Sequence, residues 1–259
     1  MNKADILKQR QAHRGDPQEL ILGFALNYSG PARLMHFLLP ANKGKLDILQ
    51  TAMRAYVIGI AACVETFFRD LYLFMLQGEP ALVSKALAEN GLRESASNLP
   101  KYLASGISAE EFAAGQVSFQ SSATIDKNFT IFFPEPFFDA VDKFELVCDV
   151  PSSRRPGETR LKMMPGWKTD IDRVFTLRHE FAHDANSTTK VTFEEMRSIE
   201  TTALIFCQLT GWLVKHRSKR LFTSRNFPAV LLISDLIAED WEISDDPPSL
   251  STEHPHSEQ

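Results

Sequence analysis

Apolar residues recur every three to four positions over long stretches of the chain, and almost no run alternates residue by residue. That period is the one an α-helix presents to a core. Asp16-Pro17 with Glu19 has the form of a capping box with proline at the first helical position, opening a helix through about Asn27 that Gly30-Pro31 breaks. Leu46 to Leu76 reads as one long helix, apolar nearly all round in its second half and therefore central. Tyr56 to Ile60 has strand-like composition, but Ala61-Ala62-Cys63-Val64-Glu65 continues the helix. Pro80 to Glu89 is a further helix closed by Asn90-Gly91, and Ser108-Ala109-Glu110-Glu111 opens another through a capping box. Between Val117 and Val150 the pattern is mixed. Phe119, Ile125, Phe129, Phe132, Phe133, Phe137 and Phe138 read as core, and Thr130 to Phe133 as helical or extended. Pro151 to Gly166 reads as a loop. Two strong helices follow, from Thr169 or Asp170 to near Ala185-Asn186 and from Glu194 to about Lys215. The second carries Ile199, Ala203, Phe206, Leu209 and Leu213 on one side. Pro228 to Trp241 is the last helix, and residues 244–259 read as a disordered acidic tail containing Pro247-Pro248. The reading is an all-α chain: one helical domain over residues 1–243, then the tail.

Composition narrows the class. With 259 residues, 44% hydrophobic and 24% charged, the chain matches an ordinary globular protein and can bury a core without staples. Its 19 Phe exclude disorder as a description of the whole chain. Cys63, Cys148 and Cys207 are far apart and form no CxxC pair, which argues against a disulfide framework or a cysteine-built zinc site. The first sixteen residues hold no apolar signal core, and the hydrophobic stretch Ala55 to Leu76 is interrupted by Glu65, Arg69 and Asp70. The expectation is a cytoplasmic protein with no membrane segment.

Charge is unevenly distributed. Seven acidic residues and no Lys or Arg lie between Glu239 and the C-terminus; without them the net charge moves from −5 to +2. Arg154, Arg155, Arg160, Lys162 and Lys168 share a stretch with the single acid Glu158, and Lys215, Arg217, Lys219, Arg220 and Arg225 form a second run. Each run alone reads as a solvated surface; together they make phosphate a candidate partner.

One stretch carries candidate chemistry: Asp172-Arg-Val-Phe-Thr-Leu-Arg178-His179-Glu180-Phe181-Ala182-His183-Asp184. Parsed as His179-Glu180-Phe181-Ala182-His183 it is the HExxH pattern. Histidines at i and i+4 lie about 40° apart on a helix and can share a Zn²⁺, with the intervening glutamate activating water. Glu200 on the next helix is the candidate third ligand. Asp184 departs from the uncharged residue that such metallopeptidases carry after the second histidine, and the upstream sequence offers no substrate-binding sheet.

Parsed as Arg178-His179-Glu-Phe-Ala-His183, the same stretch resembles the HEPN superfamily of all-helical ribonucleases, whose signature is Arg, four to six residues, then His, commonly with Asn, Asp or His after the arginine. Val64-Glu65-Thr-Phe-Phe-Arg69-Asp70-Leu-Tyr72, on the long apolar helix, is similar to the first core helix of many bacterial members, and the resemblance covers roughly residues 46–215. It implies a HEPN-like antiparallel helical bundle with extra helices and long loops. It also implies a metal-independent endoribonuclease without cofactor: His183 as general acid/base, Arg178 on the scissile phosphate, His179 orienting or assisting, Glu65 anchoring Arg178, and Arg154 and Arg155 guiding RNA. The partners so implied are RNA, a second copy of the chain completing a composite active site, and an antitoxin or regulatory protein. Proteins of this type are typically bacterial toxins or anti-phage defence effectors.

The chemistry suits those residue types. RNA carries its own nucleophile, the 2′-OH, so cleavage needs a proton acceptor, a proton donor and a cation for the phosphorane. Histidine takes either proton role near neutrality, and the guanidinium fork matches phosphate oxygens. On a helical wheel Asp172, Thr176, His179 and His183 share one face, whereas Arg178 falls among Ile171, Val174, Phe175, Leu177, Phe181 and Ala182. An arginine there needs a carboxylate partner or a functional role, and Glu65 is the candidate partner. Arg178 and His183 stand about 140° apart on an ideal helix, so one helix alone does not join them. The alternatives are the zinc metallopeptidase built on His179, Glu180 and His183, and a non-catalytic helical module that binds RNA or protein. In the latter, His183 only complements a helix C-terminus and Arg178–Glu65 is a structural pair.

Overall fold

The computed structural model describes residues 17–41, 46–89, 99–150, 157–184 and 187–217. Their helices are α1 (Pro17–Ala41), α2 (Leu46–Gly78), α3 (Val83–Glu89, entered through a 3-10 turn at Pro80–Leu82), α4 (Leu99–Ala104), α5 (Ala109–Gln116), α6 (Ser122–Thr130) and α7 (Phe137–Lys143). A hairpin of β1 (Leu146–Val150) and β2 (Gly157–Leu161) follows, then α8 (Trp167–His183) and α9 (Phe193–Arg217). The fold is all-α.

The long second helix is central, as its all-round apolar sequence predicts. Val57, Ala61, Val64, Phe68, Leu71 and Tyr72 are fully buried, and α2 packs against α1, α5, α8 and α9. Around Phe68 the aromatic rings expected to form core do so, with Phe68 and Phe206 4.8 Å apart and Phe129 and Phe137 4.9 Å, and Trp167, which the pattern did not single out, joins them 5.0 Å from Phe206. Only Phe133 of the expected set is partly exposed.

The expected break at Gly30-Pro31 does not occur; α1 runs through it. Pro31 forfeits one backbone bond but faces Gly59 of α2, where an added Cβ would lie 3.4 Å from the Pro31 ring. The missing side chain on α2 makes room for the ring, and burial of Tyr28, Ala32 and Met35 holds both halves of α1 on the core. A second close approach lies at Gly211 of α9, where a Cβ would come within 2.6 Å of Ile21 Cδ1 on α1. Glycine there leaves the space that the Ile21 side chain fills.

Thr130 to Phe133 are not extended: α6 ends at Thr130, and Ile131 keeps a right-handed helical backbone. The α6–α7 corner is closed by side chains. Asp126 Oδ1 accepts from the Phe138 amide at 2.7 Å and Thr130 Oγ1 from the Phe137 amide at 3.0 Å, satisfying free N–H groups at the start of α7. The expected loop at Pro151–Gly166 contains β2, antiparallel to β1 in the register Leu146↔Leu161 to Val150↔Gly157. The capping box predicted at Ser108 is present, with Ser108 Oγ accepting from the Glu111 amide at 3.1 Å and Glu111 Oε2 from the Ser108 amide at 2.9 Å. Asp16, the Glu19 side chain, Asn90-Gly91, Arg154 and Arg155, the predicted helix Pro228 to Trp241 and the tail 244–259 lie outside what is described. Among the described residues no helix is long and apolar enough to cross a membrane.

Candidate functional site

The helix bearing both motif parses is α8, and its sequence fixes which way it faces. Gly166 precedes it with φ +85°, a left-handed backbone that glycine adopts without strain, so the helix starts at Trp167 rather than at Thr169 or Asp170. Four neighbours then set its rotation. Trp167 Nε1 donates to Asp142 Oδ1 on α7 at 2.5 Å, and Lys168 pairs with Asp142 Oδ2 at 2.8 Å. Asp170 Oδ2 accepts from Ser198 and Thr202 of α9, both at 2.9 Å. Asp172 accepts from the Ser122 hydroxyl at the start of α6. Glu65 on α2 receives Arg178.

With that rotation Ile171, Val174, Phe175 and Leu177 are buried, while Asp172, Thr176, His179 and His183 line an exposed face. The two imidazole rings lie side by side, centroids 4.8 Å apart. Arg178 sits at the edge of the apolar arc, its Nε 3.4 Å from Glu65 Oε1, with 23% of its side chain exposed against 10% for Glu65. That glutamate oxygen makes no hydrogen bond, so the guanidinium is its counter-charge; the other oxygen receives Gln120 Nε2 at 3.5 Å. The expected Glu65–Arg178 pair is therefore in place. The arginine side chain keeps part of its surface in solvent.

The pair also holds α8 on α2, which makes a direct prediction. Glu65→Ala is expected to cost about 1–2 kcal/mol, less than breaking a fully buried pair because Arg178 can turn toward water. Urea unfolding of Glu65→Ala, Arg178→Ala and the double variant measures it. Strictly additive costs would remove the pairing.

The residues of the zinc reading are placed differently. Glu180 accepts from Ser187 Oγ at 2.5 Å and from Thr189 Oγ1, and these two hydroxyls, Ser187 first, hold its carboxyl below the usual range. Glu200 does not join the histidines: it is 1% exposed in the core, where Tyr56 donates to its Oε1. Among the described residues no group of three or more His, Cys, Asp or Glu side chains is gathered closely enough to hold a metal ion. Neither of the two cysteines whose side chains are described, Cys63 and Cys207, is a ready nucleophile. Burial pushes the Cys63 thiol up to about 11 and raises that of Cys207 well above its ordinary value.

The basic runs contribute little where they are described. Arg160 pairs with Glu145 at 3.6 Å, Lys168 is committed to Asp142, and Arg217 lies 3.9 Å from Glu79 and over the Phe133 ring. Sequence reasoning missed the polar groups that fix α8: Gln120, Ser122, Asp142, and the side chains of α2 that hold the segment after His183. Each is isolated in the sequence, and only packing brings it to the helix. Compared with family models, with curated proteins and with solved structures, the chain finds no match.

Proposed function

We propose that this chain is a metal-independent endoribonuclease of the HEPN type, acting as a toxin or defence effector. The observation that supports it best is the partly exposed Arg178, held by Glu65 of the central helix, on the helix that presents His179 and His183 side by side to solvent. In this mechanism a deprotonated His183 imidazole takes the proton of the ribose 2′-OH as that oxygen attacks the adjacent phosphorus. The P–O5′ bond breaks, and the departing 5′ oxygen takes a proton from a protonated imidazole across the site. The strands left carry a 2′,3′-cyclic phosphate and a 5′-hydroxyl. Arg178 binds the non-bridging oxygens as charge builds on the phosphorane. His179, in ring contact with His183, orients it.

Arg178 and His183 diverge around α8, so the active unit is a dimer in which two α8 helices face each other and each phosphate meets groups from both chains. The surface that would meet its copy is the one bearing Arg178 and His183.

The test is incubation of purified protein with total RNA in excess EDTA, with end-group analysis and the protein's zinc content measured alongside. The expected result is cleavage with cyclic phosphate and 5′-hydroxyl ends. Cleavage that stops in EDTA, or products with 3′-hydroxyl ends, would overturn the reading.

A further inference from the structure

The last turn of α8 has little to hold it. Its buried residues end at Leu177; Phe181 is only partly covered, and Ala182 and His183 are exposed. A helix end whose apolar contact is one partly covered ring frays readily, and His183 is its final residue.

Two polar side chains of α2 counter this. Arg54 Nη2 donates to the carbonyls of Ser187 at 2.9 Å and Thr189 at 2.8 Å, and its guanidinium lies 5.2 Å from the Phe181 ring centroid. One turn earlier Gln50 pairs with the Val191 backbone as a neighbouring strand would, donating to its carbonyl at 2.8 Å and accepting from its amide at 3.0 Å. The segment so held reaches back to α8, because Ser187 and Thr189 hydroxyls both bind Glu180. The last turn is thus gripped from two sides by one arginine, through Phe181 directly and through Glu180 by way of the pinned segment. The contacts of both α2 residues are to Phe181 and to the backbone of residues 187–191.

We infer that Arg54 and Gln50 are positioning residues that hold His183 at the working end of α8; the inference rests on His183 being a catalytic group. Position 54 suits an arginine because Nη2 reaches both carbonyls while the flat guanidinium lies over the Phe181 ring, a shape that a compact ammonium reproduces only in part.

The experiment compares wild type with Arg54→Met, Arg54→Lys and Gln50→Ala. Amide hydrogen exchange over residues 180–184 is read against the core of α9, and kcat and KM are measured on an RNA that wild type cleaves. For Arg54→Met the expected result is about 10-fold faster exchange confined to the end of α8, from the loss of charge-assisted bonds. With it, kcat should fall on the order of 10- to 100-fold at nearly constant KM, as misplacement of an acid/base group does. Arg54→Lys should fall between, and Gln50→Ala should act in the same direction more weakly. Unchanged exchange at 180–184, exchange that rises equally in α9, or a change in KM alone would each overturn the inference. If wild type fails to cleave RNA, the ribonuclease reading fails, and the exchange measurement still decides whether the clamp exists.

Discussion

His183→Ala is expected to lower RNA cleavage by about 10²- to 10⁴-fold, the contribution of a positioned acid/base group, while unfolding at the wild-type denaturant concentration. The separation is clean because His183 is exposed at a helix end and makes no buried contact, so its removal should change stability by less than about 0.5 kcal/mol. Arg178→Ala should abolish cleavage to a similar degree for a different reason and with a different companion effect. It strips the counter-charge from a buried oxygen of Glu65, a loss of about 1–3 kcal/mol. Activity must therefore be compared at concentrations of denaturant-free, fully folded protein, checked by circular dichroism. His179→Ala, which keeps both proposed principal groups, should lose less than either. If His183→Ala cleaves at the wild-type rate, the assignment of acid/base chemistry to this helix is wrong. Should Arg178→Ala lose activity only in proportion to its unfolded fraction, the arginine is a structural partner of Glu65 and nothing more.

The long-range features of α8 show what a sequence can and cannot disclose. The helical period named the buried residues Ile171, Val174, Phe175 and Leu177 and the exposed Asp172, Thr176, His179 and His183, because one face of a helix is a local property. The Glu65–Arg178 pair was also legible, since an arginine in an apolar arc demands a carboxylate and the central helix offered one. Arg54 and Gln50 were not legible. Their acceptors are backbone groups of residues 187–191, which any sequence supplies, so no residue type marks the contact. The same holds for Pro31: its local rule is to end a helix, and its packing against Gly59, 28 positions away on another helix, leaves no sign in the sequence. The hairpin had a local sign that helical patterning masked. Leu146-Val147-Cys148-Asp149-Val150 followed by Pro- and Gly-containing residues is a short strand and a turn, but five residues are too few for alternation to stand out.

Glu200→Gln is expected to make the protein more stable at pH 9 by on the order of 4 kcal/mol and to leave stability at pH 4 nearly unchanged, because one pKa unit corresponds to about 1.4 kcal/mol. The glutamate is 1% exposed, and burial pushes its carboxyl from 4.5 up to about 8. Tyr56 spends its one proton on Oε1, so in the Tyr28–Tyr56 contact at 2.6 Å Tyr28 is the donor, and Oε2 has no partner. One hydrogen bond does not offset the cost of a carboxylate in such surroundings. The sign follows from linkage. A group with a raised folded pKa contributes its full stability below its unfolded value, here about 4.5, and loses it as pH rises through about 8. Above that the folded core holds a charge that the unfolded chain would give to water. Glutamine keeps the shape and the acceptor for Tyr56 and carries no charge. Urea midpoints of wild type and Glu200→Gln at pH 5, 7 and 9 should therefore diverge as pH rises, with the variant ahead. Parallel curves would mean the carboxyl is solvated in the folded state. The opposite order, with wild type ahead and stabilised further by added zinc while the variant is not, is what a metal ligand at position 200 would give. The sign of one difference therefore separates an acid that ties α9 to α1 and α2 from an acid that serves the histidines.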